Sequence, residues 1–152
     1  MERKDSGPEP VQELPAGPDR GFGSDCSDEP FEEDRSITNV GGYVALRDLI
    51  ADSGSTLGRN VAGLRLVDGL IGSAPESTRG LAREIGMFYG DVLTHTITGS
   101  HWVVRDPARP EVRITDNVTV DVVGVGQRRT RLGTPTLVEN LAHVLLIAQH
   151  GA

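Results

Sequence analysis

The sequence predicts an α+β domain in which a three-stranded antiparallel meander packs on helices, with the element order α-α-α-β-β-β-α-α. Two patterns within residues 37–152 indicate this class. Apolar residues recur at offsets of three and four on both sides of a central stretch, which is the spacing of one helix face. Within that stretch, residues 101–122, apolar residues alternate with period two over residues 111–115 and 118–122, and turn residues separate the strand-like runs, as in hairpins.

Two short helices are predicted at the start of this domain. Apolar residues between positions 44 and 50 indicate the first helix, which breaks at Ser53-Gly54-Ser55. A second periodic run, residues 61–71, fits a helix that ends at Gly72. Glycine and serine favour a helix end because glycine loses much backbone entropy in a helix and the serine hydroxyl competes for backbone hydrogen bonds.

The third predicted helix, residues 75–96, has the clearest amphipathic pattern. Its apolar stripe consists of Leu81, Ile85, Phe88, Tyr89, Val92 and Leu93. Ser73 and Glu76 have the S-x-x-E spacing in which each side chain binds the backbone amide of the other residue. We therefore expect a capping box at Ser73 that introduces this helix.

Three strands are predicted after this helix. Residues 101–105 form the first strand, and the prolines of residues 106–110 indicate the turn that follows it. Residues 111–115 alternate between apolar and polar side chains, and Asp116-Asn117 makes the second turn. The alternation continues through residues 118–122, which completes the antiparallel meander.

Two helices are predicted to end the chain. The first, within residues 122–132, carries the basic cluster Arg128, Arg129 and Arg131. These arginines form either a solvated face or a docking surface for the N-terminal tail or a partner. Thr134-Pro135 begins the final helix, which extends to residue 149, because the fixed φ of proline suits the first helical position.

The net charge of the chain lies in its N-terminal part. Residues 1–36 contain eleven acidic and four basic residues, a net charge of −7, whereas residues 37–152 contain eleven of each. Because residues 1–36 also contain five prolines and little apolar surface, they are predicted to form a disordered acidic tail. A neutral domain with an anionic tail argues against general binding to nucleic acid or to anionic membranes. Phe22 and Phe31 are the candidate anchors of this tail for a protein partner.

Other features of the sequence predict a cytoplasmic protein without a cofactor. No apolar segment follows the charged first residues, as it would in a signal peptide, and no apolar stretch is long enough to span a bilayer. Cys26 is the only cysteine and lies in the tail. A single thiol cannot form an internal disulfide or a multi-cysteine zinc site.

One group of residues could hold a metal ion. Asp91 and His95 are spaced i, i+4 on the third predicted helix and so share a face, and His101 follows after a short turn. Two imidazoles and a carboxylate form a ligand set of hydrolytic zinc enzymes and of iron oxygenases. The alternative is that Asp91 and His95 form the polar rim beside the apolar stripe of the helix.

Other motif-like sequences have simpler interpretations. Gly124-Val125-Gly126 resembles the start of a dinucleotide-binding loop, but the third glycine and the βαβ unit are missing, which favours a loosely packed helix or strand end. Ser100 and His101 would point to opposite faces of a strand, so they cannot act as a catalytic pair. Trp102 is expected to pack in the core against the Phe88-Tyr89 face of the third helix.

Several short segments resemble a recurring pattern in known proteins. They are Phe88-Tyr89-Gly90-Asp91-Val92, Gly99-Ser100-His101-Trp102, Pro110-Glu111-Val112 and Thr136-Leu137-Val138-Glu139. Over about residues 60–150 the chain resembles a family of small actinobacterial proteins of unknown function. The resemblance implies the element order given above and an actinobacterial source with high G+C content. It implies no activity and no functional residue.

These observations predict a non-enzymatic module that binds a protein partner, of a regulatory or immunity type, with the acidic tail as a contact arm. The expected partner-binding residues are Phe22, Phe31, Arg128, Arg129 and Arg131. The alternative prediction is a small metal-dependent enzyme. Its metal ligands would be Asp91, His95 and His101.

Overall fold

The computed structural model describes residues 37–150, which have the predicted α+β class and the predicted order of helices and strands. The elements are α1 (Val44–Asp52), α2 (Val61–Ser73), α3 (Pro75–Thr78), a 3₁₀ turn (Arg79–Leu81), α4 (Ala82–Thr96), β1 (His101–Val103), β2 (Glu111–Thr115), β3 (Val118–Val120), α5 (Val122–Leu132) and α6 (Leu137–Gln149). The predicted tail, residues 1–36, lies outside the described residues, so its disorder and the domain boundary at Ile37 stay predictions. Within residues 37–150, no helix is both long and apolar enough to cross a membrane.

The third predicted helix is divided into two helices. α3 ends at Thr78, the 3₁₀ turn follows, and α4 then continues as a regular helix. The Thr78 hydroxyl donates back to the carbonyl oxygens of Ala74 and Pro75 (3.4 and 3.2 Å), and bonds of this kind bend helices. The capping box expected at Ser73 is wrong, because Ser73 is the last residue of α2 and no side chain caps the N terminus of α3.

A capping box lies instead at the start of α6. The Thr136 hydroxyl accepts a hydrogen bond from the Glu139 amide (3.1 Å), and the Glu139 carboxylate accepts one from the Thr136 amide (2.9 Å). α6 therefore begins at Leu137, three residues after the start predicted at Thr134. The reciprocal hydrogen bonds decide where this helix begins because they satisfy amides that have no partner inside the helix.

α5 fills the stretch, residues 122–132, within which a short helix is predicted. At its N terminus the Asp121 carboxylate accepts a hydrogen bond from the Gly124 amide (3.1 Å). At its C terminus Gly133 adopts a φ of 84°, the left-handed conformation in which helices commonly end. Both ends of α5 are therefore set by residues next to the helix.

α4 and α5 cross at close range through glycines. Ten consecutive residues of α4, Ile85–Thr94, are buried, which places this helix at the centre of the core. A Cβ atom added to Gly126 of α5 would lie 2.2 Å from the Ala82 carbonyl oxygen, and one added to Gly86 of α4 would lie 2.3 Å from the Val122 carbonyl oxygen. The G-x-G sequence of α5 therefore belongs to a tightly packed helix, and the expectation of loose packing is wrong. A side chain at either crossing position would push the two backbones apart.

The three strands form an antiparallel sheet in the order β1-β2-β3. Trp102 lies opposite Val112, and Val112 lies opposite Val120, so these three residues share one face of the sheet. The Trp102 side chain is 1% exposed and belongs to the core, as predicted. β1 ends at Val103, two residues before the predicted end, and the turn that follows leads into β2.

Candidate functional site

A carboxylate at the centre of α4 binds two separate parts of the chain. Asp91 is fully buried. Its Oδ1 atom accepts hydrogen bonds from the Val40 amide (2.8 Å) and from the Trp102 indole N–H (2.9 Å). Its Oδ2 atom accepts from the Gly41 amide (3.0 Å) and from the Tyr43 hydroxyl (2.7 Å). Four donors therefore occupy the carboxylate, and we name these five residues the Asp91 cluster.

Glycines on both sides of Asp91 make this arrangement possible. Gly41 and Gly42 have φ angles of 77° and 88°, which only glycine adopts at little cost. This loop turns successive amides towards the carboxylate, as in the backbone nests that bind anions. On α4, a Cβ atom added to Gly90 would lie 2.4 Å from the Trp102 ring. The missing side chain at Gly90 thus lets the indole lie against the helix with its N–H group beside Asp91.

Tyr43 donates to Asp91 from a buried position. Burial raises the pKa of the Tyr43 hydroxyl, the charge and hydrogen bond of Asp91 raise that pKa further, and Arg59 opposes both effects. The tyrosine is therefore neutral at physiological pH and acts as a donor. The Tyr43 ring also packs edge-on against Phe88 of α4, with ring centroids 5.4 Å apart.

The Asp91 cluster holds residues 37–43, which precede α1, against the helical core. Two further hydrogen bonds also bind this segment to the core. The Ile37 carbonyl oxygen accepts from the Trp102 amide (3.0 Å), and the Thr38 carbonyl oxygen accepts from the Thr94 hydroxyl (2.6 Å). This arrangement connects a loop, a helix and a strand, so its evident role is structural.

The two histidines of the predicted metal site bind backbone oxygens. The His95 Nδ1 atom lies 2.7 Å from the carbonyl oxygen of Asp91, not from its carboxylate. The His101 Nδ1 atom lies 3.1 Å from the Gly99 carbonyl oxygen, and its side chain is buried. In the described part of the chain no group of three or more His, Cys, Asp and Glu residues could hold a metal ion. A metal at Asp91 would have to displace donors that the carboxylate already binds.

A second carboxylate joins α2, α5 and α6. Asp68 Oδ1 accepts hydrogen bonds from the Arg129 Nε–H group (2.9 Å) and from the Leu137 amide (3.0 Å). Asp68 Oδ2 accepts from the Val138 amide (3.2 Å). Arg129 also donates to the carbonyl oxygens of Asp68 (3.3 Å) and Gly133 (3.2 Å). This Asp68 cluster places a carboxylate at the N terminus of α6, where the helix dipole favours negative charge.

The predicted basic cluster is divided between the inside and the outside of the domain. Arg129 is 7% exposed, so the expectation that it shares a docking surface with the other two arginines is wrong. The helical period turns Arg129 towards Asp68, whereas Arg128 and Arg131 point outwards and are exposed. Leu132 is 62% exposed and lies four residues after Arg128, on the same side of α5. We name Arg128, Arg131 and Leu132 the α5 surface.

An exposed ion pair lies at the N terminus of α5. Arg109 Nη2 lies 2.7 Å from Asp121 Oδ2, and both side chains are 41% exposed. Burial acts to raise the pKa of Asp121, but hydrogen bonds from Arg109 and from the Gly124 amide, together with the nearby positive charges, outweigh it. The pKa of Asp121 is therefore below its usual range.

Comparison with known proteins gives a family but no activity. A family model described as a family of unknown function (DUF6278) matches residues 29–145, more than three quarters of the chain. The chain belongs to this family. No curated protein and no solved structure matches it. The DUF6278 match includes both carboxylate clusters and begins eight residues before Ile37. The predicted resemblance to a family of unknown function is thereby confirmed.

Some residues that organise this DUF6278 domain were not singled out from the sequence. Asp68 lies within the predicted second helix, and neither its neighbours nor its spacing indicates that it binds Arg129 and the start of α6. Tyr43 follows Gly41-Gly42, and that glycine pair is the one local signal of a tight backbone turn. The tail anchors Phe22 and Phe31 lie outside the described residues.

Proposed function

We propose that the protein is a non-enzymatic module that binds a protein partner, of a regulatory or immunity type. The α5 surface carries this proposal. Two exposed arginines precede Leu132 at the end of α5, and Leu132 is a large apolar side chain that is 62% exposed. Arginine is enriched at protein interfaces, and a central apolar residue surrounded by polar groups is the usual plan of a small interface.

The use of the buried carboxylates supports a role without catalysis. Within residues 37–150, Asp91 accepts hydrogen bonds from four donors and Asp68 from three, and each holds separate elements together. A catalytic acid or base needs a proton or a coordination position that it can exchange with a substrate. Both carboxylates bind structural donors, so neither offers such a position without disrupting the fold.

The charge of the α5 surface indicates which kind of partner surface it would bind. The α5 surface is basic and apolar, so it fits an acidic partner surface that carries an apolar side chain. The acidic N-terminal segment adds a contact arm of opposite charge, with Phe22 and Phe31 as its candidate anchors. An actinobacterial source, a cytoplasmic location and no general binding to nucleic acid belong to the same proposal.

A charge-reversal experiment tests the α5 surface. The full-length protein, its Arg131→Glu variant and its Arg79→Glu variant are used to isolate an interacting protein, and the affinity of that protein for each variant is then measured. Arg79 is the matched control, because it is an exposed arginine on the 3₁₀ turn. We expect Arg131→Glu to weaken binding by about fivefold or more and Arg79→Glu to leave it unchanged. Equal affinity of all three proteins would refute the α5 surface.

The contribution of the arm is tested in the full chain by removing charge. The triple variant Asp19→Asn, Asp25→Asn and Asp28→Asn removes three charges from the arm, and the control variant Asp48→Asn, Asp52→Asn and Asp116→Asn removes three exposed charges from the folded domain. We expect the first variant to weaken binding and to flatten its dependence on salt, because screening reduces only the contacts that charges make. An arm without contacts would give both variants the same affinity and the same salt dependence.

A further inference from the structure

The last strand of the sheet has a neighbouring strand on one side only. The order β1-β2-β3 places β3 (Val118–Val120) at an edge, and we name its side away from β2 the β3 edge. Within residues 37–150, no backbone hydrogen bond outside the sheet involves residues 118–120. α5, which follows β3, packs against α4 and β2. Because the backbone groups of an antiparallel strand point alternately to its two sides, the β3 edge presents groups that another strand can bind.

The residues of β3 lack the features that usually prevent an edge strand from pairing. Such strands commonly carry charged side chains or proline, whereas β3 consists of valine, threonine and valine, which favour strands. Val120 lies opposite Val112 on the face of the sheet that meets the core, and Val118, two residues earlier, shares this face. Both valines are only half-buried, so a strand added at the β3 edge would cover more of their apolar surface.

We propose that the β3 edge pairs with the β3 edge of a second copy of this chain, antiparallel and centred on Thr119. The two three-stranded sheets then form one continuous sheet with twofold symmetry. Val118 of each copy lies opposite Val120 of the other, which joins the apolar faces of the two sheets. This proposal is independent of the proposed function.

Charge favours a second copy in this register. The residues next to β3 include two acids, Asp116 in the preceding turn and Asp121 in the cap of α5. In the twofold register, Asp121 lies opposite Asn117 of the second copy, and Asp116 lies opposite Val122. Like charges that face each other across two strands weaken their pairing, and this register brings none together. Residues 37–152 contain equal numbers of acidic and basic residues, so two domains have no net charge with which to repel each other.

The length of β3 sets the strength of the dimer. Three residues from each copy form few hydrogen bonds, and they bury less surface than the roughly 1,200–2,000 Å² of stable interfaces. We therefore expect a weak, reversible dimer with a dissociation constant between about 1 µM and 1 mM.

The dimer leaves the α5 surface accessible. A helix rises about 1.5 Å per residue, so Leu132 lies roughly 15 Å along α5 from Val122, where the helix leaves the β3 edge. The α5 surface is therefore separate from the proposed interface. A dimer would present two copies of it, which strengthens binding to any partner that can engage both.

Sedimentation equilibrium of the full-length protein up to about 1 mM, with charges placed at the twofold axis, tests the proposal. Thr119 meets itself across the axis, so Thr119→Glu and Thr119→Lys each place like charges opposite one another. Both signs are compared because Arg113 lies opposite Thr119 on β2. We expect each variant alone to dimerise about fivefold more weakly or worse, and an equimolar mixture of the two to regain the dimer.

Thr98→Glu and Thr98→Lys are the matched controls, because Thr98 is exposed in the turn after α4. Both should dimerise as strongly as the unmodified protein. An unmodified protein that stays monomeric up to about 1 mM would overturn the proposal, because even the weakest expected dimer is then absent. Thr119 variants that dimerise as strongly as the unmodified protein would overturn it as well.

A cysteine cross-link keeps the test decisive should a charge disturb β3. In a Cys26→Ser background, Thr119→Cys places a single thiol at the axis. Directly opposite residues of antiparallel strands have Cα atoms roughly 4.5–5.5 Å apart, within the range of about 4.4–6.8 Å that a disulfide spans. We expect oxidised glutathione to link two chains at least about tenfold faster in this variant than in the matched Thr98→Cys variant. Equal rates would overturn the proposal. Neither measurement requires a partner protein, so its outcome is separate from that of the proposed function.

Discussion

Two aspartates are held in different ways inside the same small domain. Asp91 lies within the buried part of α4 and binds four neutral donors. Asp68 lies on α2 with its side chain 14% exposed, and it binds the cation of Arg129 and two amides at the start of α6. Both aspartates join elements that are distant in the sequence. The first is a hydrogen-bonded carboxylate, whereas the second is half of an ion pair.

The difference shows which interactions each aspartate needs. A carboxylate that leaves water loses solvation, and the loss is offset only by hydrogen bonds or an opposite charge. Asp91 obtains this compensation from several neutral donors, so removing the carboxylate leaves all of these buried donors without an acceptor. Asp68 obtains this compensation from one buried cation and a helix terminus. Removing Asp68 therefore mainly leaves a buried positive charge without its anion.

The largest effect is expected from removing the carboxylate of the Asp91 cluster. Asp91→Ala leaves the four donors buried without an acceptor, and each unsatisfied donor costs about 1–3 kcal/mol. We expect a loss of about 4 kcal/mol or more in the free energy of unfolding, measured by urea denaturation. Asp116→Ala, in the exposed turn after β2, is the control and should change the stability little. Similar stabilities of the two variants would show that the Asp91 cluster does not hold the domain together.

The Asp68 cluster should give the next largest effect, with strong coupling. Asp68→Ala leaves the Arg129 guanidinium buried beside no carboxylate, which should cost about 3 kcal/mol. Arg129→Met should cost less, because Asp68 keeps its two amide donors. The double variant should be no less stable than Asp68→Ala, because it contains no buried cation. If the losses in the free energy of unfolding of the two single variants simply add in the double variant, Asp68 and Arg129 do not stabilise each other as an ion pair.

A single donor of the Asp91 cluster can be compared with a similar donor elsewhere. Tyr43→Phe removes a hydroxyl that binds a carboxylate, and it should cost about 2 kcal/mol. Tyr89→Phe is the matched control, because the Tyr89 hydroxyl binds the neutral side-chain oxygen of Asn140 and should cost about 1 kcal/mol. Urea denaturation of both variants measures the difference. If Tyr89→Phe lowers the free energy of unfolding as much as Tyr43→Phe does, the charge of the acceptor does not strengthen the Tyr43 hydrogen bond.

The smallest effect is expected at the exposed Arg109–Asp121 pair. Because the pKa of Asp121 is lower in the folded than in the unfolded state, its contribution to stability is present above the unfolded pKa, about 3.9, and is lost as the pH falls through the folded pKa. Asp121→Asn should therefore lower stability at neutral pH and flatten the acid part of the stability profile. Unfolding measured between pH 2 and pH 7, roughly the range in which carboxyl groups titrate, checks this. An unchanged acid profile would contradict it.

Elements with local determinants could be predicted with accurate bounds. β2 alternates apolar and polar side chains with period two, and its observed bounds, Glu111–Thr115, are the predicted ones. The third helix could not be predicted as accurately. Its apolar stripe continues through residues 75–96, but the back-bonded hydroxyl of Thr78 and the 3₁₀ turn interrupt the helix. Apolar periodicity indicates which face is buried, and it does not show where a side chain competes with the backbone.

The candidate sites were predicted less well than the elements. Asp91 stood out because of its spacing from His95, which indicated a metal, whereas its carboxylate binds Tyr43, Trp102 and two amides. Arg129 stood out as one of three surface arginines, whereas it is the buried partner of Asp68. In each case the residue was noticed but its hydrogen-bond pairing was not, because most of the partners lie in distant segments.

The sequence by itself determined the α+β class, the element order and the position of the net charge in the first 36 residues. These properties follow from the spacing of neighbouring residues, which a single segment displays. Only the tertiary structure decided the roles of the polar residues. Asp91 meets Val40 across 51 positions, and Asp68 meets Arg129 across 61 and Leu137 across 69. Contacts over such separations depend on how the helices cross. The role of the glycines that let α4 and α5 approach each other is visible only in the packed structure.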